Sequence, residues 1–223
     1  MLCALLASAV VAQPKTLNVL FLGNSHTYNN DVPGMVKALL ESNGSQTRVN
    51  VKSHGAMFIE DLWGNGPVMD DIKSKKWNAL VLQGAKLSSS HKYKYDHTGA
   101  VNIVNLAKKS GVKVYFYPEW PRRGWNESEW IMGEYRGIAK PLGVPVIPVS
   151  YTYDVLLKEQ PKLDLWADDG NHASLPGSFL AACTIAAYLH PDAKTPTWKP
   201  QAVDANLAAA MKRIAKQTAD KHR

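Results

Sequence analysis

The chain has 223 residues, of which 45% are hydrophobic and seven are tryptophan, so it is long and apolar enough to build one full domain core. Its formal net charge is +7, but no arginine-rich helix, zinc-finger spacing or RNA-binding aromatic motif accompanies that charge. We therefore interpret the basic residues as a solvated surface and expect no nucleic-acid partner.

The first residues, MLCALLASAVVAQPK, are small and apolar and carry no charged side chain before Lys15. This pattern is typical of the hydrophobic region and cleavage site of a secretory signal peptide, although the usual basic start is missing, and it is too short to span a membrane. A merely apolar N-terminus is the alternative. We expect a signal peptide at residues 1–12, a single mature domain at 13–223, a secreted or periplasmic location and no stable membrane insertion.

Two cysteines are present, and the predicted cleavage near Ala12 would remove Cys3. The remaining Cys183 could then form no internal disulfide bond. It lies in the apolar run FLAACTIAAYL, with no neighbour that would stabilise a thiolate. We expect a small core residue rather than a catalytic thiol.

Strand-like and helix-like segments alternate along the rest of the chain. Segments 16–22, 47–53, 77–83, 112–118 and 143–150 predict short buried strands. Segments 32–42, 97–109, 127–140, 178–189 and 202–220 are the clearest predicted helices. This order predicts an α/β fold, a three-layer α/β/α sandwich around a five-stranded parallel sheet.

Ser25 lies in the loop that follows the first predicted strand, within the stretch GNSHT. In open parallel sheets, functional residues occupy loops at the carboxyl ends of the strands, so this serine is well placed for chemistry. A helix-capping role is the alternative. However, Asn29, Asn30 and Asp31 are closer to the start of the next helix and could cap it instead.

Asp169 and His172 are three residues apart in the stretch DDGNHAS, before a predicted helix. One turn could bring the carboxylate against the imidazole, which would fix its tautomer and leave the other ring nitrogen free to accept a serine proton. By itself this spacing is also met by a capping aspartate beside a surface histidine.

Together, FLGNSHT and DDGNHAS resemble the SGNH hydrolases, also called the GDSL family. The resemblance implies an SGNH/flavodoxin-like fold, with Ser25 as nucleophile, His172 as base and Asp169 as its partner. It also implies that Gly55, on the loop after the second strand, joins the Ser25 N–H in an oxyanion hole.

Two departures from the family pattern accompany this resemblance. Asn24 stands where the Gly-Asp-Ser signature has aspartate, and the Gly-x-Asn-Asp block is replaced by VLQGAKLSSS after the third strand. Gln83 lies near the position of the missing asparagine. We expect its amide to supply the third oxyanion donor; a strand-end glutamine bonded to backbone is the alternative.

The segment YPEWPRRGWNESEW follows the fourth predicted strand and should border the same cleft. Trp120, Trp125, Arg122 and Arg123 could form a wall that stacks on sugars and pairs with anions, or the segment could simply plug the core. We also expect His26, next to Ser25, to face the substrate; a histidine bonded to the loop backbone is the alternative.

The histidines at 26, 54, 91 and 97 show no metal-ligand spacing, so we expect no metal site, and ester hydrolysis by a triad needs no cofactor. With the predicted export, the resemblance implies a secreted serine esterase, a carboxylic ester hydrolase. We expect it to remove O-acetyl groups from carbohydrate, in a small-molecule or polysaccharide ester substrate. Two alternatives stay open: a catalytically silent carbohydrate-binding protein on the same fold, and an esterase directed at lipids or thioesters. The sequence leaves the oligomeric state open.

Overall fold

The computed structural model of the protein describes residues 15–44 and 47–223. The predicted signal peptide, its cleavage point and Cys3 lie outside these residues.

Four parallel strands form the sheet in the described part of the chain, in the spatial order β2-β1-β3-β4. Their bounds are Thr16–Gly23 for β1, Arg48–Gly55 for β2, Ala79–Leu82 for β3 and Lys113–Phe116 for β4. β1 lies between β2 and β3, and its last residue, Gly23, is paired with Gly55 at the end of β2. The carboxyl ends of the two strands therefore meet at one edge of the sheet.

The expected fifth strand at 143–150 is wrong. This segment contributes only an isolated parallel bridge between Val146 and Phe116, held by Phe116 N–H to the Pro145 carbonyl at 3.0 Å and Ile147 N–H to the Phe116 carbonyl at 2.7 Å. Pro145 has no N–H to donate the preceding ladder bond, and a helix begins at Val149, directly after Pro148. The prolines thus stop the segment after one bridge.

Helices cover both faces of the sheet. In chain order, those of the described residues are α1 (Ser25–Tyr28), α2 (Val32–Glu41), α3 (Gly66–Lys73), α4 (Thr98–Lys109), α5 (Ser128–Ala139), α6 (Val149–Glu159), α7 (Leu175–Leu189) and α8 (Ala205–Lys221). The predicted helices correspond to α2, α4, α5, α7 and α8 and are confirmed within three residues at each end. The sequence pattern did not predict α1, α3 and α6.

The side chains of β1 alternate between two hydrophobic cores. Val19 and Phe21 pack with α2, α6, α7 and α8, whereas Leu20 and Leu22 pack with α3, α4 and α5. The three-layer α/β/α arrangement is therefore confirmed. Cys183 is buried in the first core, as expected, and burial raises the pKa of its thiol. Among the helices that the structure describes, none is both long and apolar enough to cross a membrane.

Candidate active site

Ser25 is the first residue of α1 and lies directly beyond the end of β1. Asn24 caps this short helix by accepting the His26 N–H at 3.0 Å, so Ser25 is not the cap. Asp31 caps α2 instead, accepting the Gly34 N–H at 3.0 Å. The Ser25 side chain is exposed, and an N–H at a first helical position has no acceptor inside its own helix.

A chain of hydrogen bonds joins Ser25 to two residues that are far away in sequence. The Ser25 hydroxyl lies 2.8 Å from Nε2 of His172, and Nδ1 of the same ring lies 2.5 Å from Oδ2 of Asp169. The structure therefore brings the three residues together in the order serine, histidine, carboxylate. The bond to His172 is the main reason that the pKa of the Asp169 carboxyl lies well below its ordinary value.

The loop before α7 holds this aspartate in place. Oδ1 of Asp169 accepts the N–H groups of both Asn171 and His172 at 2.9 Å. Gly170 has a φ of +69°, a left-handed conformation that glycine adopts without strain. The loop thus folds around the carboxylate, and one oxygen organises the backbone while the other bonds the imidazole.

Arg123 supports the loop from outside. Its N–H donates to the Gly170 carbonyl at 2.8 Å, and its guanidinium donates to Asp164 at 2.9 Å and to the Ala167 carbonyl at 2.8 Å. These contacts occupy the side chain that we expected to bind substrate. Arg123 is a support of the Asp169 loop rather than a wall of the cleft.

No protein-family model and no curated protein matches the sequence. Solved structures do match: a DUF4886 family protein from Bacteroides uniformis has a TM-score of 0.64 at 16% identity, covering 91% of this chain and 94% of its own. A candidate SGNH hydrolase from Slackia heliotrinireducens has a TM-score of 0.60 at 22% identity, covering 77% and 98%. A family 3 carbohydrate esterase from Clostridium thermocellum has a TM-score of 0.57 at 15% identity, covering 78% and 94%.

The chain has the SGNH-hydrolase fold. The resemblance stated from the two sequence motifs is thereby confirmed at the level of fold.

Gln83 does not occupy the oxyanion-donor position that we expected from the SGNH pattern. Its side chain is 0% exposed, and its Oε1 accepts the Asn24 N–H at 3.1 Å and the Thr27 hydroxyl at 2.9 Å. The Thr27 hydroxyl also lies 2.6 Å from the Tyr117 hydroxyl. Gln83 therefore lies beneath the turn that carries Ser25 and ties both ends of it to the sheet.

Gly55 lies at the end of β2, beside the turn that carries Ser25. The Ala56 N–H donates to the Gly23 carbonyl at 3.1 Å, so the ladder bond toward β1 comes from the residue after Gly55. Because backbone groups of successive strand residues face opposite sides, the Gly55 N–H is not used in the ladder to β1. Its assignment to the oxyanion hole stays a prediction. A side chain at Gly55 would collide with Tyr28, whose ring lies 2.6 Å from the Cβ position.

His26 packs against the reacting groups, and the expectation that it faces the substrate stays a prediction. Its ring stacks on His172, with centroids 5.1 Å apart, and contacts Trp120 at 5.2 Å. Burial, together with the nearby charge of His172, lowers the pKa of His26 to about 4. Near neutral pH, His26 is therefore an uncharged ring that lies between His172 and the core residue Trp120.

Trp120 is a core residue and not an open stacking surface. It is 2% exposed, it stacks on Tyr153 with centroids 5.3 Å apart, and its indole N–H donates to the Asn171 carbonyl at 2.9 Å. The plug alternative thus describes Trp120, which backs His26 and holds the histidine loop.

Arg122 is ion-paired with Glu127 and packs on the ring of Trp125. The Arg122 guanidinium donates to Glu127 through Nε at 3.0 Å and Nη2 at 2.8 Å, and it lies 4.2 Å from the Trp125 ring. Trp125 is 57% exposed. Of the expected substrate wall, Trp125 is the residue with an open aromatic face.

The sequence analysis missed several polar residues beside the site. Glu119 and Glu127 follow β4, and Asn171 precedes His172; the position of Glu119 after a strand end was the signal available for it. Burial raises the pKa of Glu119, against the opposing effect of hydrogen bonding by Tyr135. Within residues 15–44 and 47–223, no group of three histidine, cysteine or acidic side chains is placed to hold a metal ion.

Proposed function

We propose that this protein is a secreted serine esterase that hydrolyses carboxylic esters through Ser25, His172 and Asp169. The observation that carries the proposal is the continuous hydrogen-bonded chain from the Ser25 hydroxyl to His172 Nε2, and from Nδ1 to Asp169. The SGNH-hydrolase fold supports it, because the three residues meet at the carboxyl end of the first strand of a parallel sheet.

The geometry suits a two-step acyl transfer to water. Ser25 Oγ attacks the ester carbonyl carbon while His172 Nε2 takes the hydroxyl proton, and the carbonyl oxygen becomes an oxyanion. His172 returns that proton to the leaving alcohol as the bond from carbon to alcohol oxygen breaks. A water molecule then attacks the acyl-serine by the same route, which releases the acid and restores Ser25.

Asp169 and the N-terminus of α1 stabilise the charges that form during the reaction. Asp169 stabilises the imidazolium and fixes the tautomer in which Nδ1 carries its proton. The Ser25 N–H stands at a helix start without an intrahelical acceptor and is the oxyanion donor that the local structure supports best.

The substrate we propose is an O-acetyl ester of a carbohydrate. A carbohydrate esterase from Clostridium thermocellum shares the fold, and the pocket beside the reacting residues combines several polar side chains with a short apolar wall. Export, proposed from residues 1–12, would bring the enzyme to extracellular polysaccharide.

Purified protein assayed with p-nitrophenyl acetate and with acetylated xylan tests the proposal. Ser25→Ala and His172→Ala should each lower kcat/KM by roughly a thousandfold or more, because the residues of such a triad act as a unit. Ser53→Ala, an exposed serine of β2, is the matched control and should behave like the unmodified chain.

Labelling with a fluorophosphonate probe adds a readout that does not depend on substrate choice. Ser25 should take the label in the unmodified protein, while folded Ser25→Ala should take none. Hydrolysis that survives either alanine change in protein with an unchanged melting temperature would rule out the triad.

A further inference from the structure

A pocket of about 130 Å³ opens beside the reacting residues. Its walls include His26, whose ring stacks on His172, and Asn171, the neighbour of His172 in sequence. Leu87, Trp130 and Ile131 supply an apolar side. A volume of this size is many times what one water needs and holds a group about as large as a single sugar ring.

Polar groups also line the pocket. Glu119, Arg122 and Glu127 line it together with two serines of the segment after β3, Ser88 and Ser89. A mixture of an apolar wall and a few directed polar groups is typical of sites that bind and orient a small organic ligand.

The charge of the pocket is already balanced by its own residues. Among the lining residues that the structure describes, Arg122 is the only cation. Glu127, which is 4% exposed, accepts hydrogen bonds from the backbone N–H, Nε and Nη2 of Arg122. The Nη2 group also donates to the Ser89 carbonyl at 3.1 Å. The guanidinium that could have held an anionic substrate is thus committed to an internal carboxylate.

Glu119 adds a second carboxyl group to the same walls. Its Oε2 accepts the Tyr135 hydroxyl at 2.9 Å, and that hydroxyl in turn accepts the N–H groups of Gly84 and Ala85. Whichever protonation state Glu119 adopts, the summed charge of Arg122, Glu127 and Glu119 is zero or negative. His26 adds none near neutral pH.

We propose that this pocket is a recognition subsite for one uncharged, hydroxyl-bearing ring of the substrate, and that the Arg122–Glu127 pair and Glu119 make it reject carboxylated rings. Its use as the alcohol subsite rests on the proposed esterase function; its ligand preference does not. Carboxyl and serine oxygens offer acceptors to ligand hydroxyls, whereas a ligand carboxylate would meet two acidic side chains without a free cation.

Binding to Ser25→Ala tests the preference without turnover. We would titrate this variant with methyl β-glucopyranoside and methyl β-glucuronide, which differ only in a CH₂OH or carboxylate group, and follow ligand-observed NMR. The neutral glycoside should bind at least tenfold more tightly. Equal binding, tighter binding of the glucuronide or no binding of either to folded protein would overturn the inference.

Two charge-changing variants on the Ser25→Ala background sharpen the test. Glu127→Gln frees the Arg122 charge and should raise the affinity for the glucuronide, relative to the glucoside, at least tenfold. Glu119→Gln keeps the shape of the side chain and should narrow the preference in the same direction to the extent that the Glu119 carboxyl is ionised. An unchanged preference in folded Glu127→Gln would contradict the proposal, and if that variant fails to fold, the comparison of the two glycosides in Ser25→Ala decides alone.

Two tryptophan variants test whether the glycoside binds in this pocket, one that fills the pocket and one that serves as its matched control. Ser89→Trp places a large ring at the exposed rim and should abolish glycoside binding, whereas Ser90→Trp, one residue further and outside the lining, should not.

If folded Ser25→Ala binds the glucoside but the unmodified protein shows no Ser25-dependent ester hydrolysis, the esterase proposal fails and this inference stands. If the unmodified protein hydrolyses esters through Ser25 but folded Ser25→Ala binds no glycoside, this inference fails and the esterase proposal stands.

Discussion

Among single residues, the roles of the candidate triad could be predicted from the sequence, whereas the role of Gln83 could not. Ser25, Asp169 and His172 were predictable because their chemistry depends on residue type and short spacing, and the structure brings them within hydrogen-bond distance. The role of Gln83 could not be predicted, because it depends on which face of the strand its side chain lies on. Counting along β3, Gln83 falls on the same face as Val81, beneath the turn that carries Ser25.

This placement makes Gln83 a positioning residue, and its substitution should affect both stability and turnover. Gln83→Ala removes the acceptor for the Asn24 N–H and the Thr27 hydroxyl and should cost about 1–3 kcal/mol of stability. It should also lower kcat with little change in KM, because Ser25 loses its exact placement. Melting curves and steady-state kinetics with p-nitrophenyl acetate measure both effects.

Thr27→Val distinguishes positioning from direct oxyanion donation. Thr27 is buried and shares the Gln83 bond, so its change should reproduce part of the loss in kcat, and the double variant should lose less than the sum of the two. A Thr27→Val variant with full activity beside an impaired Gln83→Ala variant would instead favour a donor role.

At the scale of elements, the candidate site is assembled from two segments that are 147 residues apart. Asn30 connects them: it follows α1, and its Nδ2 donates to the Ala173 carbonyl at 3.2 Å and to the Ser178 hydroxyl at 3.0 Å, both at the start of α7. Its φ of +58° is a left-handed conformation that asparagine tolerates better than most residues. The sequence suggested Asn30 only as a helix cap.

Asn30→Ala should therefore loosen the two halves of the site. We expect a loss of about 1–3 kcal/mol in stability and a fall of roughly tenfold in kcat, since two part-buried hydrogen bonds disappear and alanine is disfavoured at this φ. Thermal unfolding and p-nitrophenyl acetate kinetics check these values.

Asn30→Gly provides the comparison, because glycine adopts the backbone conformation freely but cannot make the bonds. A glycine variant as impaired in kcat as the alanine variant supports the cross-link. Full activity in the glycine variant would show that only backbone strain matters.

Most of the elements could be predicted from their apolar pattern. The helices α2, α4, α5, α7 and α8 follow from apolar periodicity, and β1 to β4 from short apolar runs. The fifth strand failed because Pro145 removes a ladder donor, and α6 was missed because its start overlaps that apolar run. Local composition could not show that a strand-like run would turn into a helix at Val149.

For the whole molecule, the sequence order of strands and helices was enough to predict a three-layer sandwich, since parallel strands need helical crossovers on both faces. It could not predict the cleft's charge, which depends on contacts between distant side chains. Arg122 looked like an anion-binding group in the sequence, yet its partner Glu127 lies five residues on and neutralises it. Such pairings follow from loop conformation, which residue types alone do not specify.

Global stability should depend on pH through His26. Burial lowers its pKa to about 4 in the folded protein from an ordinary value of 6.5. Between these values the unfolded chain binds more protons at this position than the folded protein does, so stability should fall as the pH drops from 6.5 to 4. The contribution is about 1–3 kcal/mol, given the size of the shift and the partial exposure of the ring.

His26→Phe isolates this contribution, because phenylalanine keeps a ring between His172 and Trp120 but cannot be protonated. Asp169, with its lowered pKa, loses its stabilising effect mainly below this window, and the raised pKa of Glu119 acts with the opposite sign in both proteins. The difference in unfolding free energy between the two proteins, measured by urea titration at intervals from pH 7 to 4, should therefore shift in favour of the phenylalanine variant as the pH falls. If that difference stays constant across the window, His26 is protonated as readily in the folded protein as in the unfolded chain, and its burial between the two rings has no energetic consequence.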